Sequence, residues 1–172
     1  DFIKLNRAFE ADACAHQAAF AYQMKDREPA LFEKEMQTPM TQAYAAEMDK
    51  SGDEKEAMRA SFQAWYGYKK YQDAYEKQFQ PQILRNAEKR KANGEKTVSL
   101  SNRDIAGFCR FQGEAYISPD FFDRAESLSV SSAFKQEIRK TNDPSVAALP
   151  VRGEKSSVNP VVVKAVSQRR GR

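Results

Sequence analysis

The sequence predicts an all-α protein: a compact bundle of six to eight helices with at most a minimal two-stranded element, followed by an extended basic C-terminal tail. Three observations lead there. Apolar residues recur at three- and four-residue steps along most of the chain, the spacing of helix faces. Proline and glycine interrupt that pattern at intervals suited to short helices. The net charge of +4 is also unevenly spread. Residues 151–172 carry Arg152, Lys155, Lys164, Arg169, Arg170 and Arg172 against Glu154 alone, which leaves the preceding 150 residues close to neutral. The expected division is a helical domain over 1–143 and an extended or flexible tail over 144–172, because the tail lacks aromatic residues and cannot bury enough apolar surface to fold alone.

The elements follow in order. Phe2, Leu5, Phe9, Ala13, His16, Phe20 and Met24 mark the stripe of a first amphipathic helix, which ends before Pro29. Pro29 opens a short helix through Leu31 and Phe32. Thr38 followed by Pro39 reads as a cap with proline at the first helical position, and that helix stops near Gly52. Beyond the Ser51-Gly52-Asp53 break, Met58, Phe62, Trp65, Tyr68, Tyr71, Tyr75 and Phe79 hold one helix face, with a bend expected at Gly67. Pro81 is expected to end that helix and start a polar one running to Asn93-Gly94.

The second half changes character. Thr97-Val98-Ser99-Leu100 suits extended chain, and Ser101 with Asp104 resembles a capping box for a short helix through Phe108. Gly113 to Ile117 reads as a brief strand or turn, and Ser118-Pro119-Asp120 as a further helix start running through Phe121, Phe122 and Ala125. A last helix from about Ser132 to Lys140 ends at Asn142-Asp143-Pro144.

Composition excludes several classes of function. The chain of 172 residues suffices for a single core. It contains no apolar run of about 18 residues, so no membrane span is expected. One histidine and two widely separated cysteines, Cys14 and Cys109, exclude a self-contained His- or Cys-rich zinc site and a disulfide framework. The composition, with 30% charged residues, is that of a soluble protein; no secretory signal is visible, but the numbering opens on Asp1 rather than methionine, so the compartment stays open between the cytoplasm and export without a visible signal peptide.

Reactive side chains crowd together only in the first helix, at Glu10, Asp12, Cys14 and His16. Asp12 and His16 are four residues apart and share a face, so the carboxylate can fix the imidazole tautomer. Glu10 and Asp12 lie about 200° apart around the axis and cannot share a ligand without a second element between them. Two readings stay open: a half-buried histidine satisfied by Asp12, or part of a reactive site. The tyrosines 66, 68, 71 and 75 beside Lys69, Lys70 and Lys77 suit either a packed helix face or a stacking surface for single-stranded bases.

The segment Arg7-Ala8-Phe9-Glu10-Ala11-Asp12-Ala13 resembles the Glu-Ala-Asp-Ala helix of zincin-type metallopeptidases of the gluzincin kind. Phe62-Gln63-Ala64-Trp65-Tyr66 and the turn Gly113-Glu114-Ala115-Tyr116-Ile117 are similar to segments of a bacterial family of putative metallopeptidases, so the resemblance runs over roughly residues 5–122. In gluzincins an upstream His-Glu-x-x-His helix supplies two histidines and a general base, and a later helix supplies a glutamate ligand. The resemblance therefore implies Glu10 as a third zinc ligand, with Asp12 and His16 behind it as orienting groups. These residues contain no His-Glu-x-x-His. The expected function is that of a non-catalytic helical domain like the C-terminal part of such an enzyme, needing zinc only if an upstream segment completes the site. Two other functions stay open. One is an interaction subunit whose basic tail (Arg152, Lys155, Lys164, Arg169, Arg170 and Arg172) binds an acidic protein or, less favoured, nucleic acid; the other is a secreted bacterial effector, since the arginine-rich end is similar to type IV export signals.

Overall fold

A computed structural model describes residues 2–95, 99–124 and 131–142. Its elements are α1 (Phe2–Gln23), α2 (Pro29–Glu35), α3 (Pro39–Ser51), α4 (Glu54–Gly67), α5 (Lys69–Ala92), α6 (Asn102–Phe108), β1 (Arg110–Phe111), β2 (Glu114–Ala115), a 3-10 helix (Pro119–Asp123) and α7 (Ser132–Asn142). The fold is all-helical apart from one small hairpin. Helices α1, α3 and α4 pack on one another and enclose the core; α6, the hairpin and the 3-10 helix close one side, and α7 lies against α5.

Local chemistry sets most boundaries. The Thr38 hydroxyl accepts from Thr41 N–H at 3.3 Å, and Gly52 ends α3 with φ +67. The Asp53 carboxylate accepts from the N–H groups of Lys55 and Glu56, so α4 starts one residue after a left-handed glycine. Ser101 and Asp104 form the expected capping box. Gln112 and Gly113, both at positive φ, make the two-residue turn that pairs Phe111 with Glu114 and Arg110 with Ala115.

Four expectations are corrected. The buried face of α1 is not the stripe Phe2 to Met24. It is Ala8, Ala11, Ala15, Ala18 and Ala19, while Phe9, Phe20, Ala13 and His16 are exposed. Alanine carries little transfer energy, so it weighs little in a hydrophobic pattern, yet its small volume lets α1 approach α3 and α4 closely and leaves room for Tyr44, Phe62 and Trp65. Second, the aromatic stripe belongs to two helices. The chain leaves helical geometry at Tyr68, with φ −94 and ψ 83, so α4 and α5 are separate.

Third, α5 continues through Pro81 to Ala92. Pro81 sits on an exposed face, so the backbone carbonyl it deprives of a partner can be hydrated. Fourth, the segment after Ser118 is a 3-10 turn without a side-chain cap, and it drives the adjacent Phe121 and Phe122 into the core. Of the expected extended run Thr97 to Leu100, only Ser99 and Leu100 fall among the described residues, where they form neither helix nor strand; Thr97, Val98, Ala125 and the tail lie outside them.

The core is aromatic. The Phe62 ring meets Tyr66, Tyr116, Phe121 and Phe122 with centroids 5.4–6.4 Å apart, mostly edge to face. This cluster joins α4 to the segment after the hairpin.

Candidate functional site

Helix α1 carries every sequence-predicted site residue of the body, but its two sides separate them. On one side Asp12 is half-buried and its Oδ1 accepts a 2.6 Å hydrogen bond from the Tyr116 hydroxyl, 104 residues away. His16 Nε2 lies 3.8 Å from the same oxygen, too far for a good hydrogen bond, and donates instead to the Arg110 carbonyl at 3.1 Å. The donor role at Nε2 is assigned from that acceptor, since a carbonyl only accepts. The Phe111 ring flanks the imidazole at 6.1 Å. Asp12 and Tyr116 thus tie the helix to the residue just after β2, and His16 ties it to β1.

Burial dominates the electrostatics of this cluster. It pushes the Asp12 carboxyl above the usual carboxylate range, against the opposing pull of the Tyr116 hydrogen bond and the nearby imidazole. The Tyr116 hydroxyl is driven upward by burial and then by Asp12, so it stays protonated and donates. Cys109, fully buried behind them, is pushed up to about 12 by burial and then by the Asp12 charge. It is an inert packing thiol.

Glu10 faces elsewhere. It lines an apolar cleft of about 30 Å³ with Ile3, Trp65, Tyr75, Phe79 and Phe134, between α1, α4, α5 and α7. The Tyr75 hydroxyl is pushed up to about 12, first by burial and then by its hydrogen bond and proximity to Glu10. Arg7 borders the same cleft and reaches Glu76 of α5 at 3.9 Å. Its guanidinium is 6% exposed, and desolvation lowers its pKa, opposed by Tyr66, Glu76 and Asp73. Cys14 is pushed up to about 11 by burial, with Glu10 and Glu35 adding to it.

Tested against zinc, this donor set does not fit. Glu10 is engaged in the α5 cleft, Asp12 at Tyr116 and His16 at a backbone carbonyl, and among the described residues no three His, Cys, Asp or Glu side chains come together as a metal centre. The tail residues Arg152, Lys155, Lys164, Arg169, Arg170 and Arg172 lie outside the described residues. Of the tyrosines 66, 68, 71 and 75, the first is buried and the others pack partly against the core, with Tyr75 stacked on Phe79 at 5.8 Å.

Sequence reasoning missed Tyr116 as the partner of Asp12, and Arg7 as a buried guanidinium. No local signal marks either one, since the partners of Tyr116 and Arg7 lie 104 and 69 residues away in the chain.

No curated protein and no solved structure matches the chain. A family model does match, over residues 1–117, which run from the start of α1 to the residue after Tyr116 and so include the whole Asp12 cluster. Its description is "Putative metallopeptidase family (DUF6782)". With more than half of its length matched, this chain belongs to the family so described, and its described residues are helical apart from one small hairpin.

Proposed function

We propose that these residues form the non-catalytic helical part of a zincin-like metallopeptidase architecture, the part that follows the histidine helix. The observation that carries this reading is the separation of Glu10 from Asp12 and His16 on opposite sides of α1. As a chain of 172 residues it has one imidazole and no convergent donors among the described residues, so it neither holds zinc tightly nor activates water. In this reading Glu10 is the one residue able to offer a ligand oxygen to a metal held mainly by another segment. Asp12, Tyr116 and His16 lock the helix that presents it. The expected result is less than a tenth of an equivalent of zinc per chain after dialysis, read by atomic emission; a stoichiometric metal sinks the proposal.

A second reading is favoured by a specific observation: Phe9 and Phe108 are 45% and 52% exposed and meet edge to face at 5.5 Å, an aromatic pair left at the surface. In it the chain is an interaction subunit that docks through this body and through its basic tail. Salt-sensitive association that disappears when residues 151–172 are removed supports the tail's part in it. Unchanged association without them removes that part.

A further inference from the structure

We infer that the groove between α6 and the outer edge of β2 is a docking site for an extended, acidic peptide segment that carries an apolar side chain. The groove is an open surface depression of about 530 Å³ lined by Arg103, Asp104, Phe108, Arg110, Ala115 and Ile117. Three features of different kinds meet there.

The first is a fixed, uncompensated charge. Arg110 Nε donates to the Gly107 carbonyl at 2.8 Å, and one terminal nitrogen donates to the Gly113 carbonyl at 3.0 Å. The guanidinium is held across the end of α6 and the hairpin turn while its remaining donors are left over, and no carboxylate among the described residues pairs with it. The only acid in the lining, Asp104, is already used: its Oδ2 accepts from the N–H of Ser101 at 3.0 Å and from that residue's hydroxyl at 2.6 Å. Those bonds, chiefly, hold its carboxyl below the usual range, with a smaller contribution from Arg103. The groove therefore holds two guanidinium groups against one ionised carboxylate, an excess of one positive charge centred on Arg110, and charge complementarity selects an acidic partner.

The second feature is apolar. Phe108 stands about half exposed on the groove wall and meets the equally exposed Phe9 of α1 edge to face at 5.5 Å. Paired aromatic rings left at the surface beside an oriented arginine match the composition of interface anchors.

The third is backbone. Tyr116 N–H donates to the Cys109 carbonyl at 3.2 Å, and Phe111 pairs with Glu114 across the turn, so the intervening pair, Arg110 and Ala115, directs its N–H and C=O groups out of the ladder. On the β1 side the Arg110 carbonyl takes His16. On the β2 side Ala115 borders the groove and is the one residue whose backbone groups are left to an added strand; its neighbours are held by α4, with Arg59 Nε donating to the Tyr116 carbonyl at 3.0 Å and Lys55 Nζ to the Glu114 carboxylate at 2.7 Å. An edge strand suits a peptide in extended conformation rather than a helix or a nucleic acid.

The test is fluorescence polarisation of the full chain against a labelled synthetic peptide of alternating glutamate and leucine. Binding is expected, weakened about tenfold by Arg110→Gln and likewise by Phe108→Ala, and unchanged by Arg85→Gln on the distant α5. Because Arg110 also braces the hairpin, Arg103→Gln is the companion variant, with circular dichroism confirming that each is folded. The same peptide with prolines at alternate positions, which cannot pair with the Ala115 edge, is expected to bind at least tenfold more weakly. No binding by the parent chain, equal binding of a lysine–leucine peptide or of oligothymidylate, or full affinity in folded Phe108→Ala and Arg103→Gln proteins overturns the proposal.

Discussion

Helices α4 and α5 carry one continuous aromatic stripe in the sequence and have opposite roles in the fold. Six residues of α4 are buried, among them Met58, Phe62 and Trp65, whereas α5 buries none, although it is longer. The break at Tyr68 turns α5 out of the bundle, so Tyr68, Tyr71 and Tyr75 only lean on the core. The difference shows that periodicity reports that a face exists, not how deeply it is covered. Depth depends on what other elements bring to that face: α3 and α1 pack along α4, and the 3-10 helix sets Phe121 and Phe122 against Phe62, while α5 meets mainly α7, the Arg7–Glu76 pair and the cleft beside Glu10.

The largest expected effect lies on the α4 side. Phe62→Ala removes the ring shared by four aromatic neighbours and is expected to cost about 3–5 kcal/mol in chemical denaturation. Tyr71→Ala, the stripe's counterpart on α5, is expected to cost about 1 kcal/mol; equal losses for the two would erase the distinction. Next comes Pro81→Ala, which restores a backbone hydrogen bond inside α5. It is expected to stabilise that helix locally by about 1–3 kcal/mol, slowing amide exchange around residues 77–92 with little change in Tm. A large rise in Tm instead means that α5 belongs to the cooperative core.

Smaller effects come from the link between α1 and the turn after β2. Tyr116→Phe leaves the half-buried Asp12 without its 2.6 Å donor and is expected to cost about 1–3 kcal/mol at neutral pH. That cost should shrink in acid, where Asp12 is protonated. The smallest effect is a pH dependence. Because the Asp12 carboxyl is raised above its ordinary 3.8, the folded state holds that proton longer than the unfolded chain does. Its contribution to stability is therefore most favourable below 3.8 and declines as pH rises through the acidic range. Asp12→Asn is expected to flatten this part of the stability profile, and an unchanged slope would show that Asp12 is not a source of it.

What could be read in advance follows a physical division. The caps at Thr38 and Ser101 and the stops at Gly52 and Gly94 were accessible because each depends on residues within four positions of one another. The buried alanine face of α1 was not, since the larger side chains of that helix form a more hydrophobic stripe that ends up in solvent. In the candidate site the pairing of Asp12 with His16 on one face was legible from their spacing. The preference of His16 for the Arg110 carbonyl and of Asp12 for Tyr116 was not, because both partners come from about a hundred residues downstream.

The sequence by itself determined the helical class, most element boundaries and the crowding of Glu10, Asp12, Cys14 and His16 along one helix, all consequences of short-range geometry and composition. Only the tertiary structure decided which face of α1 is inside, that Glu10 turns to α5 while Asp12 turns to Tyr116, and that Arg110 and Phe108 border one groove. Those outcomes depend on which surfaces close packing lets approach, and small residues such as Ala11 and Ala15 win that contest by volume rather than by hydrophobicity.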